Sequence, residues 1–264
     1  MTMSNVVSVI IPYCEEFTPR LMLEDAIESV EKQSVPTEIH VIEDPEKRGP
    51  SWARNKGMQQ ANTRYIAFLD ADDLWQPNKL EEQLTAMENT GAGLSVEGNP
   101  EDSNTFITNR INESISCPTS SVTIDTNKVD VQFRTELERF EDHLFMIEAA
   151  LQSDVCLCPD IVTVRKHDES LSNDGDHKLW YQERLKLAKI IETEYPNISG
   201  LSDSIYSRAY YSKSRHHQIR EEFPEALEYA RKSIKHQIWW KPVAVIGLSK
   251  LGKYKQSISN IVNS

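Results

Sequence analysis

A chain of 264 residues, 39% hydrophobic and 27% charged, has room for one large domain or a large and a small one and the balance of a water-soluble globular protein. No apolar run is long enough to span a bilayer, and Met1 to Val6 lacks the basic-then-apolar order of a signal peptide, so neither an embedded nor an exported chain is expected. The net charge of -12 is unevenly spread: residues 1–170 hold 14 Lys+Arg against 31 Asp+Glu, and residues 171–264 hold 15 against 10. An acidic front region argues against nucleic acid as the main ligand, because phosphate backbones need Lys and Arg. Cys14, Cys117, Cys156 and Cys158 form no Cys-x-x-Cys pair and read as reduced cytosolic thiols. In that compartment the acceptor patterns Asn112-Glu113-Ser114 and Asn197-Ile198-Ser199 go unglycosylated.

In chain order, Val6 to Ile11 is a β-branched run ended by Pro12 and reads as a buried strand. Leu23, Ala26, Ile27 and Val30 follow at helical spacing behind Pro19. Ile39 to Ile42 is a second strand, ending in Glu43-Asp44, and Ser51 can cap a helix holding Trp52, Ala53 and Met58. Tyr65 to Leu69 is a third strand, and Pro77 opens a helix with Leu80, Leu84 and Met87 on one face. Strands alternating with helices predict a parallel, doubly wound α/β sheet. Residues 97–118 are polar and match no element; Ser121 to Ile124 reads as a strand, Glu141 to Leu151 as a helix, and Ile161 to Val164 as a last strand. From about Leu179 the pattern is wholly helical, with a helix–turn–helix pair over Ala209 to Ile238 and no clear second copy of it.

The segment with most chemistry in it is Tyr65-Ile66-Ala67-Phe68-Leu69-Asp70-Ala71-Asp72-Asp73-Leu74-Trp75. A buried strand here runs into three carboxylates, which repel one another unless a positive charge sits among them. A divalent cation preferring oxygen ligands suits such a place, and the crevice beyond a strand's carboxyl end is where open α/β sheets bind ligands. The plain alternative is an acidic turn that caps the next helix.

The order Ile11-Pro12-Tyr13, Glu43-Asp44, Ala53-Arg54-Asn55-x-Gly57, Asp70-x-Asp72-Asp73-x-Trp75-x-Pro77 and a late Glu141-Asp142 resembles the family 2 glycosyltransferases, inverting enzymes of the GT-A fold. The resemblance covers about residues 6–170 and is strongest from Ala53 to Pro77. It implies a GT-A, Rossmann-like, mostly parallel sheet flanked by helices over residues 1–175, with a helical carboxyl region over 176–264. Three stretches depart from the family pattern: Pro12-Tyr13-Cys14-Glu15-Glu16 lacks the usual Asn, Glu43-Asp44-Pro45-Glu46 lacks a Gly, and Val131-Gln132-Phe133-Arg134 replaces a Gly-Gly-Phe stretch near the acceptor site.

The same resemblance implies the roles. Asp142 is the catalytic base, taking the acceptor hydroxyl's proton. Pro12, Tyr13, Glu15, Asp44, Arg54, Asp70 and Ala71 line the nucleotide-sugar donor, Asp44 toward base or ribose and Arg54 toward phosphate. Asp72 holds Mn²⁺ or Mg²⁺ bridging the donor's diphosphate, and His167 is a weaker candidate for the same ion. Asp73 is expected to cap the following helix. The donor is a UDP- or GDP-sugar and the acceptor a glycan or lipid-linked glycan, in the cytoplasm.

Two other readings compete with this one. A sugar nucleotidyltransferase of the same fold usually opens with a Gly-rich loop, and residues 12–20 contain no Gly. An inactive core serving as a docking module fits poorly with the presence of Asp44, Asp70, Asp72 and Asp142. In the carboxyl region, Leu227, Ala230, Ile234 and Ile238 form an apolar helical face edged by Arg231, Lys232 and Lys235 and followed by Trp239-Trp240-Lys241. Either that face packs on the protein, or the region touches a membrane surface peripherally.

Overall fold

The computed structural model describes residues 6–99, 101–165 and 177–262, the last ten by their backbone alone. The chain divides into two compact units, Met1–Asp174 and Gly175–Ser264. The first contains strands β1 (Val7–Tyr13), β2 (Thr37–Glu43), β3 (Tyr65–Phe68), β4 (Leu74–Trp75), β5 (Leu94–Glu97), β6 (Thr123–Asp125), β7 (Val155–Cys158) and β8 (Val162–Thr163). Its helices are α1 (Arg20–Glu31), α2 (Pro50–Gln60), α3 (Lys79–Thr90), α4 (Ser103–Ile111) and α5 (Glu141–Gln152). Six strands form one sheet in the order β2-β1-β3-β6-β5-β7, and β4 pairs with β8 in a small separate ribbon. The pairs β1/β2, β1/β3 and β5/β7 are parallel, whereas β6 runs antiparallel to both β3 and β5. This is the mostly parallel GT-A sheet with one reversed strand in its centre.

Strand β1 runs two residues past the predicted stop, through Pro12 to Tyr13. The backbone parity explains why proline is tolerated. Val7 N–H bonds toward the β2 side, to Pro36, and Ser8 N–H toward the β3 side, to Thr63 Oγ1. Pro12, four residues after Ser8, points its missing donor toward β3, which has already ended at Phe68. The alternation also sorts the side chains. Val7, Val9, Ile11 and Tyr13 join Leu23, Leu80 and Met87 in one core layer, while Ile10 faces α2.

There Gly57 is required by close approach: a Cβ at this position would overlap Ile10 Cγ2. Helix α2 therefore sits unusually close to β1, which fixes the height of Arg54 one turn earlier.

The polar stretch that matched no predicted element contains α4. Asp102 caps it, its Oδ1 accepting from the backbone N–H of Asn104 and Thr105, and Phe106, Ile107 and Ile111 are buried beneath it. Strands β5 and β7 are also absent from the sequence reading. Each is four residues long, too short for periodicity to separate it from loop.

The second unit holds α6 (His177–Glu194), α7 (Ser202–Ile219), α8 (Phe223–His236) and α9 (Trp240–Val262). The apolar face predicted on α8 is a packing face: Leu227 is buried, and Ala226 and Ala230 pack with Val245, against Tyr211 and Ile246. Ile238 lies past the end of α8 and is exposed.

Gly57→Ala forces α2 away from β1 or displaces Ile10, and overpacking of this kind costs about 1–3 kcal/mol. Denaturant unfolding checks this, and Gly57→Ala is expected to cost less in an Ile10→Ala background than in the parent chain, so that the two losses sum to less than additive.

Candidate active site

The site begins where β3 ends. Leu69 ends the apolar run, and Asp70 to Asp73 form a turn closed by Asp73 N–H donating to Asp70 O at 3.0 Å. Ser120 wires this turn from below: its Oγ accepts from Asp70 N–H at 3.0 Å and donates to Asp73 Oδ2 at 2.6 Å, while its carbonyl accepts from Trp75 Nε1 at 2.7 Å. Arg165, just after β8, wires it from the side. Its N–H donates to Asp73 Oδ1 at 3.2 Å, and its guanidinium donates to Asp72 O, Asp25 Oδ2 and Met22 O. Asp73 is thus a buried structural carboxyl and does not cap α3, which begins six residues later behind Asn78. Burial, with the charge of Asp70 beside it, pushes Asp73 up to about 7.

Arg54 joins this turn to the opposite wall. Its Nη2 reaches Asp70 Oδ1 at 2.6 Å and its Nη1 reaches Glu141 Oε1 at 3.2 Å. The guanidinium is 5 % exposed and lies 5.1 Å from the centre of the Phe133 ring. Burial opposes its charge, but Asp70 and Glu141 outweigh burial and hold Arg54 above the ordinary arginine value. The next residue, Asn55, makes a two-point bond with the backbone of Phe133, at 2.8 Å in each direction. Phe133 in turn stacks on Phe145 at 4.1 Å and meets Phe68 edge-on at 5.2 Å. The segment that replaces the family's Gly-Gly-Phe is therefore anchored through α2.

At the head of α5, Phe140 takes a left-handed backbone (φ 68°) that starts the helix at Glu141 and Asp142. Glu141 is pushed up to about 7 by burial and by Asp142 beside it, with Arg54 pulling the other way. Asp142 behaves oppositely. Burial resists its ionisation, but His143, Arg110 and Arg54 outweigh it and hold the carboxyl below the ordinary aspartate range. His143 itself is pushed down to about 4 by burial, so at neutral pH the two arginines carry that stabilisation. Arg110, on α4, lies 3.5 Å from Asp142 Oδ2 with its guanidinium buried. Adjacent carboxyls thus titrate far apart, one near neutral pH and one below the ordinary aspartate range.

The remaining predicted residues are spread along the strand ends. Asp44 is buried in its own loop, where Oδ2 accepts from Gly49 N–H at 2.8 Å and Oδ1 faces Arg48 at 3.4 Å. Tyr13 is 5 % exposed and belongs to the core layer, so it presents no open ring face. Pro12 is half-buried, Glu15 exposed, Ala71 buried and Asp72 half-buried. His167 lies outside the described residues. Arg110, Ser120 and Arg165 are absent from the residues expected on sequence alone. The Asp102 cap with apolar residues behind it is the signal for α4, and hence for Arg110; nothing local marks the other two.

Among the described residues no cluster of three or more His, Cys, Asp or Glu can hold a metal ion by itself. The carboxylates to hold one would be Asp72 and Asp70, the latter already paired to Arg54. That suits Mg²⁺ or Mn²⁺ held by one or two carboxylates together with substrate phosphates, rather than an all-protein cage.

A group whose folded pKa is raised is protonated in the folded state over a window where the unfolded chain is already ionised. Glu141 therefore makes stability fall as pH rises from about 4.5 to about 7. Glu141→Gln removes that proton linkage. Urea unfolding at points across this window is expected to show a shallower decline in the variant than in the parent chain.

Residues 34–147 match the family model described as "Glycosyl transferase family 2". TuaG of Bacillus subtilis, named for teichuronic acid biosynthesis, is 40% identical over 74 residues, which are 28% of this chain and 29% of TuaG. WfgD of Escherichia coli, a UDP-Glc:α-D-GlcNAc-diphosphoundecaprenol β-1,3-glucosyltransferase, is 43% identical over 49 residues, 19% of each chain. The aligned stretches thus span less than a third of these curated relatives. Among solved structures, Staphylococcus aureus TarS 1–349 with UDP-GlcNAc superposes with a TM-score of 0.61 at 18% identity, covering 95% of this chain and 87% of that one. The mannosyltransferase PcManGT of Pyrobaculum calidifontis, with GDP-Man and Mn²⁺, gives 0.56 at 12% identity, covering 94% and 79%. Sequence and fold agree: residues 34–147 match the family 2 glycosyltransferases, and the chain has the fold of GT-A glycosyltransferases.

Proposed function

We propose that the chain is an inverting glycosyltransferase that moves a sugar from a nucleoside-diphosphate donor to an acceptor hydroxyl in a single displacement. The observation that carries this reading is the Arg54 bridge, which holds Asp70 at the end of β3 and Glu141 at the head of α5 in one cluster, with Asp142 beside it. A donor-side acid and an ionised candidate base thereby face one region from two walls.

In this reading Asp142 accepts the proton from the acceptor hydroxyl as its oxygen attacks the anomeric carbon from the side opposite the diphosphate. A carbon–oxygen bond to the acceptor forms, the bond to the diphosphate breaks, and configuration at that carbon inverts. Arg110 keeps Asp142 ionised before the step, and Arg54 sets the separation of the two walls. Asp72, with Asp70, would hold Mn²⁺ or Mg²⁺, which supplies charge to offset the leaving diphosphate. Asp44 together with Pro12, Glu15 and Ala71 lines the nucleoside end, Asp44 through its loop and Tyr13 through its backbone.

The relatives support a donor class. TarS is seen with UDP-GlcNAc and PcManGT with GDP-Man, and WfgD uses a lipid-linked acceptor. We therefore place this chain with UDP- or GDP-sugars and a glycan or lipid-linked acceptor, in the cytoplasm where such donors are made. Residues 1–175 form the catalytic part and 176–264 the helical part.

Asp142→Asn keeps the shape and one oxygen but loses the proton acceptor. With the nucleotide-sugar and acceptor found by screening, turnover is expected to fall by about two to four orders of magnitude with donor affinity unchanged. A larger loss in Glu138→Gln or Glu141→Gln would move the role to another carboxylate. Asp72→Ala is expected to abolish the Mn²⁺-dependent part of UDP or GDP binding in calorimetry, and equal metal-dependent affinity in the variant would remove Asp72 from the ion's site.

A further inference from the structure

Helix α9 has its hydrophobicity on both sides. Pro242, Val245 and Ser249 are buried and mark the face that packs within the helical unit. The opposite face carries Trp240, Val243, Leu248 and Leu251, exposed at 72%, 50%, 56% and 61%. At 100° per residue these four fall within one stripe, and Gly247 lies inside it. Lys241 and Lys250, both exposed, flank the stripe on either side. The sequence Trp240–Val262 contains four lysines and no Asp or Glu, within a chain whose net charge is -12. A continuous apolar stripe of this kind on a solvent face marks an interaction surface.

We propose that this face of α9 docks on an anionic lipid bilayer surface, lying in the interface plane. Charge complementarity selects the partner. A helix with lysines on both edges of an apolar stripe, no acid, and a tryptophan at its start has the composition of an interfacial helix that seeks anionic lipid. Lysine stems extend along the apolar boundary while their ammonium groups reach the headgroups. A transmembrane role is excluded for the described residues, since no helix among them is long and apolar enough to cross a membrane. It shares Trp240 and Lys241 with the region considered from the sequence, but its stripe lies on α9, whereas Leu227 and Ala230 of α8 are buried.

Co-sedimentation of the full chain with vesicles tests it, using phosphatidylcholine alone and phosphatidylcholine mixed with phosphatidylglycerol. The chain is expected to pellet with the anionic vesicles at low salt, to release at high salt, and to ignore the neutral ones. Replacing Lys241 and Lys250 by Gln is expected to weaken binding by about fivefold for each lysine, and Leu248→Ser with Leu251→Ser to weaken it at least as much. All four side chains are exposed, so thermal unfolding should be unchanged, and the lysine pair tests the idea even if the leucine pair perturbs the helix. No binding to anionic vesicles at low salt overturns the proposal, as does parent-like binding by both variants. Sedimentation equilibrium showing a dimer that Leu248→Ser with Leu251→Ser dissolves would instead assign the stripe to a second copy of the chain and also overturn it.

Discussion

The candidate site depends on one buried cation. Arg54 is enclosed among Asp70, Glu141 and the Phe133 ring, and removing charges from water at such a place costs several kcal/mol per ion before any attraction is gained. The arrangement holds because each carboxylate meets a different nitrogen of the same planar fork, a geometry that lysine cannot reproduce. Losing one member would leave an uncompensated buried charge, at a cost of about 3–5 kcal/mol. The two walls are therefore tied: neither the turn after β3 nor the head of α5 can shift without the other.

The rest of α2 serves the same end. Arg54, Asn55 and Gly57 each use a different side of the helix. Gly57 lets it settle on Ile10, Asn55 clamps the Phe133 segment, and Arg54 reaches between the walls. A motif that reads in one dimension as three scattered small or polar residues is in space a single fitting that sets three distances. Around it the charges divide. Burial brings Glu141 close to its titration midpoint near neutral pH, whereas Asp142, near Arg110, stays ionised. That division is what a proton-accepting carboxylate beside a structural one requires.

Much of this is legible in the sequence because it rests on local signals. Val7 to Ile11 and Tyr65 to Phe68 are β-branched or apolar runs flanked by polar turns, and the acids that follow them must emerge at a sheet edge. The α5 helix and its leading Glu141-Asp142 are readable for the same reason. What sequence reading misses depends on partners far along the chain. Asp73 looks like a helix cap until Ser120 and Arg165, 47 and 92 residues away, take its oxygens. Tyr13, expected along the donor, has its ring in the core layer, where strand parity puts it. The reversal of β6 follows from how its ends are connected, which three residues cannot announce. On α8 the apolar stripe and its pairing with the preceding helix are visible in the sequence, but the packing of α9 on it is not.

Arg54→Lys tests the central claim most directly, because it keeps the charge and removes the fork. Calorimetric binding of UDP and GDP with Mn²⁺, read beside the slow hydrolysis of the preferred nucleotide-sugar, separates donor binding from the assembly of the two walls. If Arg54 ties them, the variant should fold and still bind nucleotide while hydrolysis falls by about tenfold or more, the equivalent of one lost charge-assisted hydrogen bond. Parent-like hydrolysis in a folded Arg54→Lys chain would contradict the account.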